Sequence, residues 1–266
     1  MQAPGITLPS IPSPASKHIA LRVTTPAERA LKKGHPWLFE TAITRKSQEG
    51  QPGDLAVIFD SHRKFLAIGL YDPTSIIRVR ILHHLRPAKI DQNWFAEKIG
   101  AAADIRAGLP ANTNGYRLLH GENDRLPGLV IDRYAQSLVM KLYTPGWIPY
   151  LNILIPIIND LLNPKRIVLR LGRGMLSYPQ YLHGLKDGDV IYGIPVDGPE
   201  FFIENGITFE VDLKHGQKTG FFLDQRDNRA RVEKISKGKR VLNIFSYTGG
   251  FSVYAARGGA REVISV

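Results

Sequence analysis

Between Asn243 and Gly250 the chain reads Asn-Ile-Phe-Ser-Tyr-Thr-Gly-Gly, preceded by the apolar stretch Val241-Leu242 and followed by a helix-forming stretch over Phe251–Arg257. A buried strand that turns through glycines into a helix is a ligand-binding arrangement. In open α/β sheets ligands lie beyond the carboxyl ends of the strands, at the first strand-to-helix turn. Glycine there lets the backbone approach the ligand, and the helix start offers unpaired N–H groups. The dinucleotide pattern G-x-G-x-x-G and the P-loop pattern G-x-x-x-x-G-K-[ST] are both absent, which argues against NAD and ATP. Taken alone, the same turn would also serve packing only.

A second constellation lies just upstream, Gly216-Gln217-Lys218-Thr219-Gly220-Phe221-Phe222-Leu223-Asp224-Gln225-Arg226-Asp227-Asn228-Arg229. Its glycines, aromatics and polar side chains suit a ligand-facing loop that enters a helix. Two plainer roles stay open: Asp224 as a helix N-cap, and Arg226 and Arg229 as a solvated face. Elsewhere the pattern is less telling. Glu122 and Asp132 are neighbouring acids without the spacing of an acid/base dyad. The eight histidines are scattered without metal-ligand spacing, so no metal is expected.

The elements that must position these residues fall into three regions. Residues 1–16, with Pro4, Pro9, Pro12 and Pro14, read as a flexible leader. From 17 to 86, candidate strands at Ile19–Val23, Leu55–Phe59, Phe65–Leu70 and Ile77–Leu82 are separated by turn signals and suggest a small β-barrel, with a short helix over Pro26–Gly34. From 87 to 199 the pattern is α+β. Asp91 caps a helix with Phe95, Ile99 and Ala102 on one face, and strands are expected at Leu129–Tyr134, Ser137–Tyr143, Arg166–Leu171 and Val190–Ile194. Ile148, Leu151, Ile155, Ile158 and Leu162 have helical spacing, while Pro156 predicts a kink or an early break. From 200 onward come a strand at Ile207–Leu213, the 214–222 loop, a helix over Asp224–Lys237, and the strand–turn–helix–strand unit ending at Glu262–Val266. That unit opens a doubly wound parallel sheet.

Thirty-five Lys and Arg against 24 Asp and Glu give a formal charge of +11, which favours a polyanionic partner. No apolar run approaches the roughly 18–20 residues of a membrane-spanning helix, and the N-terminus has no secretory pattern. The absence of cysteine excludes disulfides, thiolate metal sites and a cysteine nucleophile within these residues, and it suits a cytoplasmic protein. The oligomeric state is not legible, a dimer included.

The stretches Gly216–Arg229 and Val241–Ala256 together resemble the cofactor-binding signature of the bacterial 23S rRNA cytosine-C5 methyltransferases, which are built as a PUA domain, a central α+β domain and a Rossmann-like domain. Lys33-Gly34-His35-Pro36-Trp37-Leu38-Phe39 resembles the start of that family's PUA domain. His120-Gly121-Glu122-Asn123-Asp124-Arg125-Leu126-Pro127-Gly128-Leu129-Val130-Ile131-Asp132-Arg133-Tyr134 resembles its central signature. The resemblance implies three folds in series: a PUA-like RNA-binding barrel over 17–86, a central α+β domain over 87–199, and over 200–266 the first part of an S-adenosylmethionine-dependent methyltransferase domain. Gln217, Thr219 and Asp224 with Arg226 would shape the methionine side of the cofactor pocket. Phe245, Ser246, Tyr247, Thr248 and Gly249 would form its floor, and ribosomal RNA would be the partner.

The implied chemistry adds a cysteine thiolate to C6 of cytosine, so that C5 takes the methyl group from the sulfonium; a base then removes the C5 proton and the thiolate leaves. These 266 residues hold no cysteine, and only two strands of the family's sheet of about seven follow the Asp224–Lys237 helix. The chain reads as truncated before the ribose-binding acid, the Pro-rich loop and the cysteines, and by itself is expected to be inactive. A non-catalytic RNA-binding module and a methyltransferase acting on guanine or another RNA are the alternatives.

Overall fold

Alternation dictates the first unit. In β1 (Ile19–Val23) the side chains of Ile19, Leu21 and Val23 point inward while Ala20 and Arg22 point out. The following α1 (Thr25–Lys32) starts with proline in its first turn, and its Leu31 enters the same core. With β2 (Trp37–Phe39), β3 (Ile43–Lys46), β4 (Leu55–Phe59), β5 (Phe65–Tyr71) and β6 (Ile77–His84), β1 completes a six-stranded sheet of order β2-β6-β5-β4-β1-β3. The strands expected from sequence are present. The two short strands β2 and β3 were not expected, because runs of three and four residues carry too little periodicity.

The protein is described from a computed structural model over residues 5–266. The segment read as a flexible leader lies outside the described residues for positions 1–4. From Gly5 onward it is docked instead. The Thr7 N–H donates to the Ile191 carbonyl, Ile6 bridges Tyr192, and Leu8 and Ile11 pack on the central core. An edge strand with free backbone groups recruits even a Pro-rich segment.

The central unit comprises α2 (Gln92–Arg106), β7 (Gly115–His120), β8 (Leu129–Tyr134), β9 (Ser137–Leu142), α3 (Leu151–Leu162), β10 (Arg166–Leu171) and β11 (Val190–Gly193), with sheet order β11-β10-β9-β8-β7. Asp91 caps α2 by accepting from the Trp94 N–H. Of the kink or early break expected at Pro156 the early break does not occur, and α3 continues to Leu162. Proline removes only the bond to the Asn152 carbonyl, and Asn152 is exposed, so water can take its place. Both helices cover one face of the sheet, and their core is continuous with Leu55, Ile68, Leu70 and Leu82 of the first unit. Polar ties reinforce that seam. Buried Asp72 accepts from Arg80 and from the Thr144 hydroxyl, and Tyr150 donates to the Gly53 carbonyl. Gly53 has φ +93°, and an added Cβ would sit 2.7 Å from the Gly146 carbonyl oxygen, so the contact requires glycine.

The third unit packs on the opposite face of the central sheet. The hairpin β12 (Glu200–Glu204) and β13 (Ile207–Val211) places Phe202, Phe209 and Val211 against Tyr134, Val139 and Val168. Then follow α4 (Arg226–Ile235), β14 (Arg240–Asn243), α5 (Gly250–Arg257) and β15 (Glu262–Ser265), with β14 and β15 parallel, as the sequence reading expected. Arg229, read from sequence as a possible solvated residue, is 2% exposed. It makes a two-pronged pair with Glu204 (0% exposed), both distances 2.7 Å, and donates to the Phe222 carbonyl. Tyr254 of α5 donates to the same carboxylate, so one ion pair joins the hairpin, α4 and α5.

Glu204→Ala is therefore expected to cost about 3–5 kcal/mol in urea unfolding, because it strands a buried guanidinium; a loss near zero would show the pair to be dispensable. Burial pushes the Tyr254 hydroxyl up to about 12, with the Glu204 charge adding to it, and burial raises Tyr134 and Tyr150 as well. A raised folded pKa gives stability that is complete below the ordinary tyrosine value near 10 and is lost as pH rises through the folded value. Stability should thus fall from about pH 10 upward, and Tyr254→Phe should flatten part of that fall in unfolding measured from pH 9 to 12.

Candidate cofactor site

The loop from Gly216 to Phe222 is held by side chains that rise from the central sheet. Arg170 of β10 donates to the Gly216 carbonyl at 3.0 Å, and Lys141 of β9 donates to the Lys218 carbonyl at 2.9 Å. Lys141 has its pKa lowered by desolvation and by neighbouring Arg170. Beneath them Asp132 of β8 is wholly buried and faces Arg117 across the β7–β8 ladder, which donates to both carboxylate oxygens at 2.8 and 3.0 Å. Thr219 donates its hydroxyl proton to the same carboxylate. That assignment fixes the rest of the chain. Tyr134 must donate to the Thr219 oxygen, and the Tyr134 oxygen accepts the Phe221 N–H at 3.1 Å.

The turn after β14 meets this loop through Tyr247. The Gln217 N–H donates to the Tyr247 hydroxyl at 3.1 Å, that hydroxyl donates to the Gly220 carbonyl at 3.3 Å, and the ring stands edge-on to Phe222. Phe245 is 93% exposed, and both Phe245 and Tyr247 have positive φ. Ser246 is pinned by its N–H to the Val266 carbonyl, and the Gly249 N–H closes the turn onto Ser246. Gly249 has φ +72°, a Cβ there would meet nothing within 4 Å, and α5 begins without a side-chain cap. The first-turn N–H groups of α5 thus have no side-chain acceptor, which suits a polar or anionic group above the turn.

The structure brings Gln217, Phe245, Ser246, Tyr247, Thr248 and Gly249 to the contact of loop and turn, sets Thr219 beneath the loop, and places Asp224 and Arg226 on a cleft beside it. Thr219 is 1% exposed and spends its hydroxyl on Asp132 and Tyr134. Asp224 is not the N-cap of α4, a position held by Gln225. Asp224 and Arg226 line a cleft of about 260 Å³ with Arg106, Tyr116 and Arg117. Asp224 pairs at 3.6 Å with Lys218 of the loop, which lies over the Phe222 ring. Sequence reading missed Asp132, Tyr134, Lys141 and Arg170 as partners of the loop. A signal was available in the charged residues set within otherwise apolar strands, such as Arg170 in Arg-Ile-Val-Leu-Arg-Leu. Asn243, Ser252 and Ser265 were missed too; their side chains join the end of β14 to α5 and β15.

Among the described residues no group of His, Cys, Asp and Glu is placed to hold a metal ion, and no helix is long and apolar enough to cross a membrane. Thr219→Val is expected to cost about 1–3 kcal/mol, by leaving the buried Asp132 carboxylate and Tyr134 hydroxyl short of a partner, and to speed amide exchange at Phe221. Unchanged exchange there would dismiss the relay as the loop's anchor.

Two family models match the chain: a PUA-like domain over residues 21–84 and an S-adenosylmethionine-dependent methyltransferase over residues 166–266. A ribosomal RNA large subunit methyltransferase of Deinococcus radiodurans is 48% identical over 263 residues, spanning 97% of this chain and 64% of that protein. Ribosomal RNA large subunit methyltransferase I of Aeromonas hydrophila is 38% identical over 243 residues, spanning 90% and 60%. A putative S-adenosylmethionine-dependent methyltransferase from Streptococcus mutans has the same fold, with a TM-score of 0.77 at 24% identity over 92% of this chain and 62% of that one. So does a putative methyltransferase solved in complex with SAH, with a TM-score of 0.79 at 24% identity over the same shares. The chain spans less than two thirds of the length of these relatives. The chain thus carries a PUA-like domain in front and a match to an S-adenosylmethionine-dependent methyltransferase behind.

Proposed function

We propose that the protein, in its whole form, methylates large-subunit ribosomal RNA, with C5 of a cytosine in 23S rRNA as the acceptor. The observation that carries this reading is the meeting of the Gly216–Phe222 loop with the Phe245–Gly249 turn through the Tyr247 hydroxyl. It is supported by the names of the relatives, ribosomal RNA large subunit methyltransferases in both Deinococcus and Aeromonas. S-adenosylmethionine, when bound, supplies the methyl group on a positively charged sulfur.

In this reading the residues of the chain bind and orient. Gln217 and the turn from Phe245 to Gly249 face the cofactor, with the open space above Gly249 and the uncapped start of α5 receiving its polar end. Thr219 acts by fixing the loop to the central sheet. Asp224 and Arg226 border the cleft with Arg117 and Tyr116, next to the cofactor loop, where their charges would position the methionine end or the incoming nucleotide. The thiolate chemistry of cytosine C5 transfer needs a cysteine, and these 266 residues contain none.

The whole protein, given 23S rRNA and methyl-labelled S-adenosylmethionine, is expected to place label on cytosine C5, whereas the 266-residue chain is expected to transfer none. Label on guanine or another base would replace the cytosine reading. RNA binding by the whole protein without any transfer would leave an RNA-binding module in its place, and transfer by the 266-residue chain would overturn its inactivity.

A further inference from the structure

The first unit carries a cleft of about 620 Å³ on the side of its sheet formed by β1, β3 and β4, lined by Arg22, Arg45, Lys46, Ser47, Phe59 and Arg63. Strand register explains its make-up. Arg22 stands directly opposite Arg45 in the antiparallel β1–β3 pair and directly opposite Phe59 in the parallel β1–β4 pair. Phe59, Arg22 and Arg45 therefore form one row across three strands. The row lies on the outer face, because Leu21 and Val23 on either side of Arg22 are buried. Arg63 joins from the β4–β5 turn, where it holds φ +62° and its N–H closes onto the Asp60 carbonyl.

Two guanidinium groups placed directly opposite each other on a sheet repel. Among the described residues neither they nor Arg63 has an acidic partner within 4 Å, and the acids nearby are engaged elsewhere. Glu49 pairs with Lys46, and the Asp60 carboxylate accepts the His62 and Lys64 N–H groups and pairs with Lys32. Repulsion built into a concave surface with no internal counter-charge is relieved by an external polyanion. A half-buried aromatic ring in line with the cations adds a face on which a base can stack. The other aromatic surface of this unit, His35, Trp37 and Phe39, is less available. The Trp37 indole N–H is committed to Glu122, and the three rings pack on one another.

We infer that this cleft is a docking site for single-stranded RNA, with Arg22, Arg45 and Arg63 on consecutive phosphates and Phe59 against a base. The inference rests on the proposed RNA partner and locates where the first unit holds it. The test uses the 266-residue chain and a fluorescently labelled single-stranded RNA of mixed sequence, titrated by anisotropy at several KCl concentrations. Each phosphate contact on a single strand contributes roughly 0.7 to the slope of log affinity against log salt. The triple variant Arg22→Ala, Arg45→Ala, Arg63→Ala is expected to lower that slope by about 2 and to weaken binding roughly tenfold or more near 0.1 M salt. A control triple of exposed lysines, Lys165→Ala, Lys186→Ala and Lys237→Ala, removes the same charge and is expected to change the slope far less. Equal losses in the two triples, or wild-type affinity and slope in the arginine triple, would overturn the cleft while leaving the RNA partner standing. No RNA binding by the unaltered chain would overturn both.

Discussion

A carboxylate sealed from water at Asp132 organises the half of the molecule that carries the Gly216–Phe222 loop. Burying such a charge is tolerable only if its oxygens are fully engaged. Arg117 supplies two of the bonds and Thr219 the third. Because the carboxylate only accepts, the hydroxyl chain through Thr219 and Tyr134 has a single direction, ending at the Phe221 N–H. A loop that would otherwise depend on its own turns thereby takes its conformation from a five-stranded sheet.

The same logic recurs on the far side of the loop. Glu204 and Arg229 neutralise each other at almost zero exposure, and the guanidinium lies 4.7 Å from the Phe221 ring centre. Phe221 is thus fixed at its backbone by Tyr134 and at its ring by Arg229. The hairpin β12–β13, which contributes Glu204, is in turn seated on the central sheet through Phe202 and Phe209. The central unit and the hairpin form the base on which the strand–turn–helix unit is laid.

Much of this order was legible in the sequence. β-rich apolar runs bounded by turn signals, such as Phe65–Leu70, the Asp91 cap, and the glycine turn after Asn243 each rest on a local rule, and each appears where that rule places it. What was not legible depends on partners distant in sequence. Nothing local says that Thr219 will turn to a carboxylate 87 residues earlier, or that Arg229 will be buried against Glu204. The docking of Gly5 to Ile11 escaped notice for a related reason: a proline-rich composition speaks against regular structure but not against adhesion to an unpaired edge. Pro156 does not end its helix, since the carbonyl it leaves unpaired belongs to exposed Asn152, which water can reach.

The core shared by the first two units has a geometric consequence. Leu55, Ile68, Leu70 and Leu82 are packed into the same apolar interior as β8, β9 and β10, and Gly53 is pressed against Gly146. The first unit cannot swivel on the second without exposing that interior. The span from the arginine row on β1 and β3 to the loop at Gly216–Phe222 is therefore constant, and the polypeptide behaves as a caliper. On the proposed reading, an RNA strand gripped at the arginine row would be presented to the loop at a fixed distance.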